Sequence, residues 1–297
     1  MRARYVLPAM AAVAALMLSG CVDNSTPAAD GASDAPATSD VKKDDAAAAL
    51  LPDDIAESGE LVIGTDAAYP PNEYKDDAGA PIGWGVELAN AIAGKLGLTP
   101  SWEISSFDHI IPGIVGDKVN MGSSSFTDNA ERQKQVDFVN FYDAGILWAQ
   151  PVGSDVDPDN ACGLKVAVQA TTVQDTDEIP AKNDACIAAG KPEIEKQKYD
   201  TQDLATQAVA SGKADAMSAD SPVTLYAISK TDGKLEPAGE SFDTAPYGMA
   251  VKKDSGMAEA VQAALQSMVD DGSYADILDE WGVSAGGLEE ITINAGS

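Results

Sequence analysis

The stretch 123–132, SSSFTDNAER, places hydroxyl groups at Ser124, Ser125 and Thr127 just before one cation, Arg132. A guanidinium offers a planar fork that matches a carboxylate with two parallel hydrogen bonds. A helix opening near Thr127 would aim free backbone N–H groups at the same place, which suits an anion. The other reading of these residues is a capping box, with Asp128 as N-cap and Glu131 at the third helical position, and Arg132 a solvated helix residue. The two readings share one helix end and can hold together.

Two acids complement that cation. Asp66 follows LVIGT and Asp220 follows ADAMSA, each at the end of an apparent strand. A carboxylate at such an edge can hold an ammonium group, and a turn or N-cap aspartate is the alternative for each. Taken with Arg132 they have a common meaning: a cation for a carboxylate and an anion for an ammonium, the two ends of a zwitterionic α-amino acid. Tyr69 and Phe107 could pack a ligand side chain, with a cation–π contribution if it is charged; core packing is the commoner fate of such rings. Trp84 lies nearby in sequence. Thr171 to Gln174, within QATTVQD, could offer hydroxyl and N–H groups to a carboxylate, or the threonines could simply cap a helix.

Catalytic patterns are scarce. The one histidine, His109, stands beside Asp108, and adjacent residues rarely form the base-and-orienter pair that a serine nucleophile needs. No metal-ligand spacing is present. GWGVEL, residues 83–88, lacks the third glycine of a dinucleotide fingerprint. No cofactor and no metal is expected.

These residues need strands and helices to position them. Strands are expected over 59–66, 98–105, 119–125, 137–152, 164–171, 194–200, 214–220 and 245–253. Helices are expected over 85–97, 107–118, 128–136, 172–190, 203–213, 221–233 and 257–281. Val86, Leu88, Ala89, Ile92, Ala93 and Leu96 form a helical stripe that Gly97 ends. Pro112 demands a break or a first-turn position. Strand–helix alternation runs through the chain twice, as in α/β units with mostly parallel sheets. Two successive units suggest two lobes, with 150–155 and 240–245 as candidate crossings. Ligands of such sheets sit beyond the carboxyl ends of strands, where Asp66, the 123–127 cluster, 170–174 and Asp220 fall.

With 48 acids against 19 Lys and Arg, the net charge of −29 argues against nucleic acid and against a peripheral hold on anionic lipid. Residues 1–20 read as a secretory signal: Arg2 and Arg4, a short apolar run, then small residues. Leu18-Ser19-Gly20-Cys21 resembles a bacterial lipobox, which implies cleavage before Cys21 and acylation there; an ordinary secretory signal with an incidental cysteine is the alternative. Residues 21–54, rich in Ala, Asp, Ser, Thr and Pro, read as a disordered tether. Cys162 and Cys186 remain, and an even pair in an exported protein reads as a disulfide that stabilises by roughly 3 kcal/mol.

Six blocks then resemble a known family in order and spacing: LVIGTDAAYPPNEY, GWGVELANAIAGKLG, IIPGIVGDKVNMGSSSFTDNAERQKQVDFVNFY, VAVQATTVQD, SGKADAMSAD and YGMAVKKD. They resemble the polar amino acid-binding proteins of ABC importers, the type 3 extracellular solute-binding family. The resemblance implies a two-lobed periplasmic-binding-protein-like type II α/β fold with two hinge crossings, lobe 1 formed by 55–150 and 245–290 and lobe 2 by 151–244. It places the carboxylate-binding arginine on Arg132, with Ser124, Ser125 and Thr127 beside it. It places the second-lobe anion loop on Thr172, Val173 and Gln174, the ammonium-binding acid on Asp220, and the aromatic pair on Tyr69 and Phe107. Asp66 falls near the ligand side chain.

The chain departs from that family at Asn72 (usually Phe), Gly85 (usually Asp), Thr171 (commonly Gly) and Asn129 (commonly Thr). The implied protein is a monomeric, lipid-anchored, non-enzymatic receptor on the outer face of the cell membrane, or its periplasmic side. It delivers a polar amino acid to the transmembrane subunits of an ABC permease. Asp66 would repel an acidic ligand, and His109 and Lys75 are the only nearby cations, so a basic amino acid or glutamine is expected. A secreted prephenate or arogenate dehydratase on the same fold is the alternative; it would need His109 or Glu73 as general acid.

Overall fold

The computed structural model describes residues 41–297, so the leader, Cys21 and most of the expected tether lie outside the described residues. In chain order the elements are α1 (Asp45–Ala48), α2 (Asp53–Ser58), β1 (Glu60–Thr65), β2 (Ala68–Tyr69), β3 (Glu73–Lys75), β4 (Pro81–Ile82), α3 (Trp84–Leu96), β5 (Thr99–Ile104), α4 (Phe107–Val115), β6 (Met121–Thr127) and β7 (Val136–Pro151). There follow β8 (Lys165–Gln169), α5 (Ile179–Ala188), β9 (Glu195–Tyr199), α6 (Gln202–Ala210), β10 (Ala216–Asp220), α7 (Ser221–Lys230), β11 (Leu235–Lys252), α8 (Met257–Asp271), α9 (Ser273–Glu280) and β12 (Gly287–Ile293).

The main sheet runs β5-β1-β6-β11-β7-β10-β8-β9, with β12 also on β7. β1 lies parallel to β5 and β6, and β8 lies parallel to β9 and β10. The two long strands β7 and β11 are antiparallel to each other and to their other neighbours. Each end of the sheet therefore repeats one plan, three parallel strands against the β7–β11 pair, and this is a two-lobed α/β fold. Helices cover both faces. In lobe 1, α3 and α8 bury Leu88, Ile92, Val261 and Leu265 on one face, while α4 buries Ile110 and Ile114 on the other. In lobe 2 the two faces bury Val166, Val168 and Ile179, and Ala205, Val209 and Met217.

The lobes are joined by β7 and β11. β7 pairs with β12 at Val139, Asn140 and Tyr142, then with β10 at 146–149, so its partner changes over 143–146, ahead of the candidate crossing at 150–155. In β11 the register shifts between Ala238 and Ala245, around the expected second crossing.

Several local expectations change. The tether is expected to run to 54, yet several residues of 41–54 anchor on lobe 1. Asp44 caps α1 by accepting from Ala46 N and Ala47 N. Ala47 is buried, and Val41, Leu51 and Ile55 pack on the lobe 1 core; these small apolar side chains cover α3 and α8 in a segment whose overall polarity suggested disorder. Pro112 sits inside α4. The single helix expected over 257–281 is two, because Gly272 adopts φ +88° and ends α8. The helix expected over 128–136 is only a single 3₁₀ turn, Arg132–Lys134. Residues 128–135 contain no large apolar side chain, so a helix there has no face to bury.

Candidate functional site

The candidate residues gather at the carboxyl ends of the parallel strands. β1 delivers Asp66, β6 carries Ser124, Ser125 and Thr127, β8 ends in Gln169, and β10 ends in Asp220. One cavity, with about 310 Å³ of atom-free space including its open mouth, is lined by all eleven residues named from the sequence as a possible ligand site. They are Asp66, Tyr69, Phe107, Ser124, Ser125, Thr127 and Arg132 from lobe 1, and Thr172, Val173, Gln174 and Asp220 from lobe 2. Gln169 lines it as well.

Asp220 occupies the N-cap position of α7, but its side chain makes no capping bond. It turns into the cavity, where Oδ2 accepts from Tyr69 Oη (2.9 Å) and Tyr247 Oη (2.7 Å) and Oδ1 from Gln174 Nε2 (2.8 Å). Burial pushes its pKa up, while these donors and Arg132 pull it down. A carboxylate has about four lone-pair positions, so one on Oδ1 stays open for a further donor.

Arg132 enters from the opposite lobe. Its Nη1 donates to Thr127 O (2.7 Å) and its Nη2 reaches across to Thr171 O (3.2 Å). The guanidinium carbon lies 5.4 Å from the Phe107 ring centre and 5.6 Å from that of Phe126, two rings stacked 4.6 Å apart. Burial lowers the arginine pKa to about 10, against the pull of Asp220, and the group stays charged at neutral pH. Two of five donors are used, so both terminal nitrogens keep one N–H for an incoming anion. With the helix absent, backbone amides at a helix N-terminus play no part here, and neither does the capping box. Asn129 Oδ1 accepts from Arg132 N (2.9 Å), while Asp128 is bonded to Gln133, Asn140 and Gly296.

Asp66 Oδ2 accepts from Gln169 Nε2 across the cleft (2.6 Å), and Asp66 N donates to Ser124 Oγ (3.0 Å). Burial raises its pKa to about 6, with Gln169 and Lys75 opposing. In the cavity wall, Ser125 holds φ +47°, a conformation a non-glycine residue keeps only when surroundings impose it. Its hydroxyl donates to Glu73 Oε2 (2.9 Å) and accepts from Asn72 Nδ2 (2.8 Å), and Asn72 Oδ1 accepts from Trp84 Nε1 (2.8 Å). Glu73 is fully buried, and desolvation pushes its pKa up to about 8.

The departures from the family pattern acquire reasons in this arrangement. A Cβ at Gly85 would lie 2.2 Å from Glu73 Oε1, so the space left by the missing aspartate is the space the Glu73 carboxyl occupies. Asn72 ties Trp84 to Ser125 where a phenylalanine could make neither bond. Thr171 takes φ +65°, which accounts for the family's glycine there. Its N–H donates to Asp175 Oδ2 (2.9 Å).

Some candidates fall elsewhere. His109 is exposed, bonds to Ser106 and lines a different surface groove, so it offers no acid to the cavity. Trp84 is a core residue. Sequence reasoning missed Gln169, Tyr247 and Phe126. Gln169 was reachable, since it ends β8 as Asp220 ends β10; the other two depend on strand pairing across the sheet. Cys162 and Cys186 form a disulfide with Cα atoms 5.6 Å apart. Among the described residues no cluster suits a metal ion, and no helix is long and apolar enough to cross a membrane.

Comparison with known proteins agrees with this geometry. The arginine-binding protein ArgT of Corynebacterium glutamicum is 40% identical over 248 residues, covering 83% of this chain and 82% of that protein. An ancestral arginine-binding protein bound to arginine superimposes with a TM-score of 0.69 at 32% identity, covering 75% of this chain and 98% of that one. An ancestral arginine-binding protein bound to glutamine gives a TM-score of 0.68 at 32% identity, covering 76% and 98%. The family described as bacterial extracellular solute-binding proteins, family 3, matches residues 61–284. A cleft between two α/β lobes, a cation and an acid facing each other across it, and a match over three-quarters of the sequence lead to one conclusion: this chain belongs to the bacterial extracellular solute-binding proteins, family 3.

Proposed function

We propose that the protein is an extracytoplasmic receptor that closes its two lobes on a polar L-α-amino acid, basic or glutamine, and delivers it to an ABC permease. One observation carries this reading: Arg132 and Asp220 face one cavity from opposite lobes. The ligand carboxylate takes the open donors of Arg132 with the Ser124 and Thr127 hydroxyls, beside Ser125, whose own hydroxyl proton goes to Glu73, and its ammonium takes the open acceptor of Asp220. The loop Thr172–Gln174 closes from lobe 2. Tyr69 and Phe107 wall the side chain, and Asp66 faces its far end. Closure excludes water and strengthens both charge contacts, and a ligand that bridges the lobes draws the population toward the shut form.

Support for a basic ligand comes from Asp66, the acid at the side-chain end of the cavity, and from relatives named for arginine; support for glutamine comes from the ancestral relative bound to it. The role is that of a binding protein and not an enzyme, as the names of the relatives state of themselves. Acylation at Cys21 would hold it, as a monomer, at the outer face of the cell membrane. The test is a calorimetric screen of the twenty amino acids. Heat from arginine, lysine or glutamine supports the reading; heat only from aspartate or glutamate overturns it. Incorporation of a labelled fatty acid, lost in Cys21→Ala, tests the anchor.

A further inference from the structure

The loop that carries Arg132 has little structure of its own. Residues 128–135 join β6 to β7 through one 3₁₀ turn, a conformation of poor hydrogen-bond geometry. It is held from outside by Pro246 O, which accepts from Asp128 N (2.9 Å), by Lys253 Nζ, which donates to Gln133 O (3.0 Å), and by a segment far away in sequence, the residues that follow β12. Asn294, in the left-handed region at φ +55°, fastens this segment to β7: its N–H donates to Phe138 O (2.9 Å), its Oδ1 accepts from Phe138 N (2.8 Å), and its Nδ2 donates to Asp137 Oδ1 (2.9 Å). Ala295 N donates to Asn140 Oδ1 (2.9 Å), and Asn140 Nδ2 in turn donates to Asp128 Oδ2 (3.0 Å).

Gly296 completes the arrangement. Its N–H donates to Asp128 Oδ2 (2.9 Å), and its carbonyl accepts from Gln133 Nε2 (2.9 Å), which also donates to Asp128 Oδ1 (2.7 Å). Asp128 and Gln133 flank Arg132 on either side, and Asp128 directly follows Thr127, whose carbonyl receives the guanidinium. Asp128 and Asn140 are buried, so these bonds exchange poorly with water. A Cβ at Gly296 would lie 2.0 Å from the Asp128 carbonyl oxygen; the approach is closed to any other residue. Asn294, Ala295 and Gly296 lie beyond the family match, which ends at 284.

We propose that Asn294, Ala295 and Gly296 are positioning residues for ligand binding: by clamping Asp128 and Gln133 on both sides of Arg132, they hold its guanidinium at the cleft. The proposal rests on the reading that Arg132 takes the ligand carboxylate. The hydrogen bonds of Asn294, Ala295 and Gly296 go to Asp137, Phe138, Asn140, Asp128 and Gln133, none of which lines the cavity, so the segment's effect on a ligand passes through the loop.

The test uses Gly296→Val in the purified protein, with Asn294→Ala as the second variant in case the first does not fold. Two quantities are read: backbone hydrogen exchange over 128–135, and the Kd for L-arginine and L-glutamine by calorimetry. The expected result is exchange faster by about tenfold or more in that loop, with the rest of lobe 1 unchanged, and a Kd weakened by about tenfold for whichever ligand binds the wild type, with the preference between the two unaltered. Unchanged loop exchange, faster exchange throughout lobe 1, or an unchanged Kd beside a loosened loop overturns the proposal. Failure of the wild type to bind any amino acid instead removes the receptor reading, and the proposal of a binding role with it, whatever the loop does.

Discussion

Asp220 and Arg132 are each partly satisfied by the protein and each keep capacity for one more partner. Such half-filled groups, buried and of opposite sign, are what a small zwitterion can complete. Arg132→Gln removes the charge and, being two atoms shorter, also the guanidinium's contacts with Thr127 O and the Phe107 ring. It should weaken amino acid binding by at least about a hundredfold, since a charge-assisted pair on a buried carboxylate is lost, with the thermal midpoint of the ligand-free protein little changed. Undiminished affinity in calorimetry would show that the arginine is decoration. Asp66 gives a second test. Burial lifts its carboxyl to about 6, so it is neutral below that pH and charged above. Arginine affinity should rise by about tenfold between pH 5 and 7 while glutamine affinity stays level; equal behaviour of the two ligands would remove Asp66 from the side-chain end.

At the scale of elements, strand ends and short loops do the positioning. β8 and β10 run parallel, so Gln169 and Asp220 emerge on the same edge of the sheet. The loop 170–178 is braced by Lys196 and Lys198, both 2.8 Å from Asp175, which itself receives Thr171 N–H. Lobe 2 is further fixed by the Cys162–Cys186 bridge, which ties the start of β8 to α5. Cys162→Ala/Cys186→Ala should lower unfolding free energy by about 3 kcal/mol in the loop-closure account, read as a drop in the denaturant midpoint. Ligand affinity should change less than threefold, because neither sulfur reaches the cavity; a larger loss would mean that the bridge shapes the 172–174 loop.

The whole molecule buries acids that its net charge of −29 does little to comfort. Asp66, Glu73 and Glu178 are raised by burial to about 6, 8 and 7. Their folded values lie above the unfolded ones, so the stability they contribute is complete below about pH 4 and is lost as pH rises through 6, 7 and 8. Asp271, held at about 2 beside Lys95, works the other way, but only in strong acid. The ligand-free protein should therefore melt at a lower temperature at pH 9 than at pH 5, and Glu73→Gln should flatten that slope. A midpoint that rises toward pH 9 would contradict the buried state of these groups.

Much of this was legible in the residues alone. Strand–helix alternation, the α3 stripe ended by Gly97, and the placement of acids and hydroxyls at strand ends are local patterns that depend on neighbours a few positions apart. Sequence could also name a cation and two acids. It could not decide whether Asp220 caps its helix or faces a ligand, because both fates begin at the same N-cap position and only packing against Tyr69, Tyr247 and Gln174 chooses between them. Nor could it foresee that residues of 41–54 would anchor on lobe 1, that 128–135 would lack a helix, or that Asn294 to Gly296 would hold Arg132 from more than 150 residues away. Those outcomes depend on contacts between segments distant in the chain, and such contacts exist only once the sheet has brought the segments together.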